Sequence, residues 1–182
     1  MRNSRRPSKF KDPYFLPDSG TLEALGTVTV AASGVEEMLH TLYWKLAGVG
    51  DKQGAILTRE MKPNRLADDI IKLAGLAKLN AKQIDDLKDI FAHHKSLSGR
   101  RNEYIHWIWI DSNKDRHKIR SPAYRGEEER VVSTEEVNAL AADLSWLQSR
   151  LDSHCVSQEE LLATRKRLGK DCDLYAPAPW LK

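Results

Sequence analysis

Cysteine is nearly absent: Cys155 and Cys172 are the only two in 182 residues, far apart and with no Cys or His beside them at zinc-ligand spacing. That excludes a disulfide framework and a zinc-finger type of fold. Long apolar runs are missing as well. No stretch approaches the roughly 18 residues of a membrane helix, so a membrane is not an expected partner. Internal repeats and low-complexity tracts are lacking, which removes solenoids and arrays. A large charge of either sign is also missing, since the formal net charge is only +3. Its placement is uneven, however, with basic residues gathered in the first thirteen positions and again between Lys114 and Arg125. The opening MRNSRRPSKFKDP carries five basic side chains with no apolar stretch behind them of the kind a secretory signal needs, so the expected compartment is the cytoplasm.

What is present is helical periodicity. Leu25, Val28, Ala32, Val35, Leu39, Leu42 and Leu46 recur at alternating steps of three and four, which predicts one long helix over 21–46. Gly48 and Gly50 end it, and the connection to Pro63 has room for a short helical turn. A second helix starts at Pro63, with Leu66, Ile70, Leu73 and Ala77 on its apolar face. A third begins near Ala81, with Ile84, Leu87, Phe91, His94, Ser98, Arg101 and Ile105 on its seam. HWIWI and HKIRS, on either side of the turn-like DSNKD, read as a β-hairpin or an irregular excursion. The capping box Ser133/Glu136 opens a fourth helix with a seam of Val137, Leu140, Leu144, Leu147 and Leu151. A second box, Ser157/Glu160, starts a short fifth helix ending at Gly169.

The expected fold is therefore all-α: an up-and-down bundle of four main helices plus a short C-terminal helix, with a small β-hairpin-like or irregular insertion after the third main helix. A basic tail covers 1–17, the helical domain 18–169 with its insertion at 107–132, and an extended, proline-broken tail 170–182.

The third seam breaks its own pattern. His94, Ser98 and Arg101 stand at consecutive seam positions where a bundle wants Leu or Ile. An unpartnered guanidinium there costs several kcal/mol to desolvate. Arg101 must therefore pair with an acid, for which Glu36 or Glu37 is available, or face a wet cleft. Asn102 and His106 lie four residues apart on one side of the same helix. Such a set suits a phosphodiester: an imidazole of pKa near neutrality moves a proton, and a guanidinium holds the charge that builds on phosphorus. On RNA the adjacent 2′-OH is a built-in nucleophile, so neither metal nor cofactor is required. His93 and His94, being adjacent, face different sides of a helix and do not form a metal pair.

RNEYIH, Arg101 to His106, resembles the motif of the HEPN superfamily, an arginine followed by four to six residues and a histidine, with a polar residue, here Asn102, directly after the arginine. The all-α pattern around it is similar too. The resemblance implies a metal-independent endoribonuclease that forms a homodimer, with one composite site in the groove between two copies. It also implies a bacterial toxin–antitoxin or defence setting, with an antitoxin or regulatory protein as a further partner. His106 would transfer the proton, Arg101 would stabilise the pentavalent phosphate, and Asn102 would orient the phosphate or the histidine. His94 and Ser98 would be secondary site groups. Arg100, Arg116, Lys118, Arg120 and Arg125 are the candidate RNA-steering cations. Tyr104, Trp107, Trp109 and Tyr124 could stack on bases, but the alternation of Trp107 and Trp109 with Ile108 and Ile110 is that of a half-buried strand, and packing is the favoured reading. Two alternatives remain open. One is a non-catalytic nucleotide- or RNA-binding or protein-interaction module, and the other is a buried polar network fixing helix register.

Overall fold

The computed structural model describes residues 16–113, 116–122 and 128–155. The fifth helix expected after Ser157, the C-terminal tail, most of the basic N-terminal tail, and Tyr124 and Arg125 lie outside the described residues.

Among the described residues five helices and three strands follow one another as α1 (Ser19–Ala47), α2 (Asp51–Thr58), α3 (Pro63–Leu76), α4 (Ala81–His106), β1 (Ile108–Asn113), β2 (Arg116–Arg120), β3 (Glu129–Ser133) and α5 (Thr134–Cys155). The chain is thus mostly helical with one small antiparallel sheet. Asp18 caps α1, its carboxylate accepting from the backbone N–H groups of Gly20 and Thr21 at 2.9 and 3.1 Å. Gly48 closes the same helix at φ 68°, a left-handed position that suits glycine. Asn80 and Gln83 form a reciprocal capping box at the start of α4, and Ser133 and Glu136 form the box expected before α5.

The core gathers the apolar faces of α1, α3, α4 and α5, and α1 packs most extensively against α5. Every seam residue expected on the fourth main helix, now α5, is buried. On α1, Val28, Ala32, Val35, Leu39 and Leu42 are buried, while Leu25 and Leu46 pack at the edge of the core.

The structure extends two expectations and corrects a third. The connection between the first two main helices holds a full two-turn helix, α2, docked where Gly54 lies under the Trp44 ring. The insertion holds the expected hairpin, β1 pairing with β2 through a bulge between Trp109 and Asp111, and adds a third strand, β3, that pairs with β2. The third seam also runs differently. The buried line on α4 is Leu87, Ile90, His94, Leu97 and Tyr104, so Tyr104 is core rather than a stacking platform and Ile105 is only half-buried. A 3.6-residue turn lets the inward stripe slip between two adjacent heptad tracks over a helix of this length. His94 and Arg101 belong to both tracks.

The sheet is tied to the helices by a polar knot. Thr21 Oγ1 donates to Asp18 at 3.0 Å, and lies 2.8 Å from His117 Nε2 and 2.6 Å from the Thr134 hydroxyl. His117 Nε2 is also 2.9 Å from the Asp18 carboxylate, which can only accept, so that nitrogen carries the proton. The Thr21 N–H bond, foremost, holds the Asp18 carboxyl below its usual range.

Candidate phosphate-binding cleft

Where α1, α3, α4 and α5 meet, a cleft of about 250 Å³ opens. From α4 it takes His94, Ser98, Arg101 and Asn102; from the start of α3 it takes Lys62, Pro63 and Asn64. Glu36 of α1 is the one acid among the described residues on its wall. Four of the five α4 residues assigned to the site from sequence are therefore brought together. The fifth, His106, is exposed in the last turn of α4, one turn beyond Asn102, and does not line this cleft.

Arg101 is half-buried. Its Nη1 donates to the Asn102 side-chain oxygen at 3.1 Å, and its Nε is buried without an acceptor. The pairing with Glu36 or Glu37 considered from sequence is not formed, and among the described residues Arg101 makes no ion pair. The cation thus keeps donors for something the fold does not supply. His94 is only 3 % exposed. Its Nε2 lies 3.2 Å from the Ser98 hydroxyl, and its Nδ1 is buried with no hydrogen-bond partner. Burial lowers the His94 pKa below its ordinary value, so the ring is neutral near pH 7. It offers shape and a polar edge rather than charge.

Sequence reasoning missed Lys62 and Asn64. They stand at the N-cap and second turn position of α3, where no side chain caps the helix and the first turn carries no acid. Pro63 has no N–H to satisfy, and the remaining free N–H groups give that end a partial positive charge. The readable signal was the sequence KPN itself: a proline-initiated helix with no capping oxygen at the N-cap. The far end of α4, by contrast, presents carbonyls, which repel phosphate. A phosphate near Asn102 must therefore be held by Arg101, Lys62 and the α3 terminus.

No family model matches the chain, and neither a curated protein nor a solved structure matches it. The reading of the site rests on its residues.

The outlying cations are arranged differently. Arg100 turns toward α5, 3.8 Å from Asp143, whose carboxyl is raised by its own burial against the opposing pull of Arg100. Alternation along β2 puts Arg116, Lys118 and Arg120 on one face while His117 and Ile119 are buried on the other. Lys118 pairs with Glu129 on β3. Trp107 and Trp109 are half-buried against the core, and Trp109 donates its indole N–H to the Tyr104 carbonyl at 3.1 Å. These contacts make the pair packing residues first.

Proposed function

We propose that the chain is a metal-independent endoribonuclease of HEPN type, an up-and-down bundle of α1, α3, α4 and α5 that works as a homodimer. The observation that carries this reading is a half-buried guanidinium with no acid partner among the described residues, facing a cleft beside an uncapped helix N-terminus. In that cleft Arg101, Lys62 and the free N–H groups of α3 hold the non-bridging oxygens of a phosphodiester, and Asn102 fixes the guanidinium through its side-chain oxygen. The ribose 2′-oxygen attacks phosphorus, its proton passes to an imidazole, and the bond from phosphorus to the 5′-oxygen breaks as that oxygen takes up a proton. The products are a 2′,3′-cyclic phosphate and a 5′-hydroxyl. His106 is the proton carrier in this scheme, and two copies of it across a dimer groove divide the roles of base and acid. Its place outside the cleft, one turn along α4, supports a site completed by a second chain. Arg101 and His106 are five residues apart, a rise of about 7.5 Å.

The same position of His106 favours one other reading, a module that binds a phosphate in the cleft without cutting it. RNA incubated with the protein in EDTA separates the two. The ribonuclease reading expects cyclic phosphate ends, a loss of about 10²–10⁴ in rate for His106→Ala, and about 10²–10³ for Arg101→Ala. Melting should hardly move in either variant, because Arg101 leaves no buried acid behind when it is removed. Cleavage that survives both substitutions would sink the proposal. Binding without cleavage in the unaltered protein selects the other reading.

A further inference from the structure

The solvent face of α4 extends the cleft into something longer. Lys88, Lys95, Gly99, Asn102 and His106 are all exposed. At 100° per residue they fall within about 60° of one another, along a rise of about 27 Å. A second cleft, of about 320 Å³, lies between α3 and α4 and takes Lys88, Phe91 and Lys95 from this helix, with Ile71, Asp68 and Asn64 opposite. Asn64 also lines the first cleft, so the two clefts are neighbours that share a wall residue. Lys95 makes no ion pair among the described residues, and Lys88 is held only by an exposed contact with Asp85 at 2.9 Å, of a kind that exchanges readily. Gly99 adds a separate clue. It sits inside a 26-residue helix, where glycine is unfavourable, yet a Cβ there would meet nothing within 4 Å. Gly26 and Gly75 are equally open, so what Gly99 contributes is its place on the stripe, where the helix backbone leaves room for a strand to lie close.

We propose that this face of α4 is a track for single-stranded RNA, with Lys88 and Lys95 holding successive phosphates, Phe91 offering an apolar edge to a base, and Gly99 letting the strand lie against the helix on its way to Arg101 and His106. The track rests on the ribonuclease reading for the polymer being RNA, and it makes the substrate several nucleotides long rather than a mononucleotide.

The test uses the full chain and a fluorescent twelve-nucleotide single-stranded RNA with 2′-O-methyl riboses, which cannot be cut, titrated at several salt concentrations. Lys88→Glu with Lys95→Glu should weaken binding by about tenfold or more and lower the salt slope by about 1.4, some 0.7 for each lost phosphate contact. Gly99→Gln should weaken binding while the melting temperature holds or rises, a combination that a purely structural glycine would not give. Lys52→Glu on α2, with the same change in net charge as Lys95→Glu, should leave affinity within twofold. Equal losses from Lys52→Glu and Lys95→Glu, or no loss from the stripe variants, would overturn the track. So would sedimentation in which those variants alter self-association and not RNA affinity, which would make the stripe a contact with a second copy. Because the probe is not cleavable, stripe-dependent binding without any ribonuclease activity rejects the catalytic reading alone, and cleavage with stripe-independent binding rejects the track alone.

Discussion

His94 shows how a single residue was half legible. Its place on the α4 seam follows from spacing, since 94 belongs to both heptad tracks along this helix. Its chemistry did not follow, because whether a seam histidine is charged depends on what surrounds it. Burial settles that by lowering its pKa below 6.5. The sign of the linkage follows: the unfolded chain binds a proton at higher pH than the folded one, so the contribution of His94 to stability is full above 6.5 and is lost as pH falls through and below that value. Denaturant titrations at pH 7.5 and pH 5 should show the protein weaker at pH 5, and His94→Gln should flatten that part of the dependence. An unchanged slope would mean that the ring is protonated in place, with Glu36 across the cleft as the group to compensate it. Cys155 follows the same logic at the other end of the scale. Burial pushes its thiol up to about 11, so in the folded protein it should alkylate far more slowly at pH 8 than a free thiol. Arg101 was the reverse case, in that sequence marked it as out of place but left its partner open. The answer, no acid partner among the described residues, required the separation of α1 from α4, which no local pattern encodes.

At the scale of elements, what was legible was whatever rests on period and caps. The seams of α1 and α5, the Pro63 start of α3 and the Ser133 box all depend on residues within a few positions of one another, so local rules suffice. What was not legible was the full length of α2 and the presence of β3. The α2 helix is short, only weakly amphipathic and exposes Ile56 and Leu57, so it has little pattern to show. It exists because Trp44 of α1 covers Gly54, and because the Thr58 hydroxyl accepts from His40 Nδ1 and Trp44 Nε1 while donating to the Gly54 carbonyl. A Cβ on Gly54 would stand 2.3 Å from the Trp44 ring, and on Gly99 it would stand in open space. Two substitutions with the same helix propensity should therefore go in opposite directions. Gly99→Ala should stabilise by about 0.5–1 kcal/mol, and Gly54→Ala should destabilise by about 1–3 kcal/mol through overpacking. Urea midpoints of the two variants measure both, and equal shifts would mean that the Trp44 ring moves aside at no cost. The β3 strand was missed for a related reason: ERVVS offers two apolar residues, of which Val131 is exposed, and pairing with β2 rather than its own pattern makes it a strand.

For the whole molecule, the question is whether the sheet and the helices form one cooperative unit. The helical core is continuous through α1, α3, α4 and α5, with Ile119 and Val132 the buried contributions of the strands. Two fully buried strand residues, with Trp109 half-buried beside them, are a thin apolar tie, the buried pair giving roughly 3–6 kcal/mol before any entropy is set against it. The polar knot at Thr21 adds the specificity. One hydroxyl joins the first turn of α1, the middle of β2 and the first residue of α5, three segments up to 113 positions apart in the chain. Thr21 is fully buried, so replacing its hydroxyl by a methyl of similar size leaves His117 Nε2 with only the exposed Asp18 carboxylate and the Thr134 hydroxyl with no contact in the knot. Thr21→Val should cost about 1–3 kcal/mol. Its location should also be visible, because amide exchange in β1, β2 and β3 should accelerate well before exchange in the α1–α5 core, as the sheet opens separately. If all the amides accelerate together, the knot is distributed through the fold and the sheet has no independent opening. That outcome bears on the cleft as well, since Trp107, the residue that ends α4 one position after His106, packs with the strands against the same core. A sheet that opens alone would let the last turn of α4 fray with it, and the proposed proton carrier would then gain mobility at no cost to Arg101.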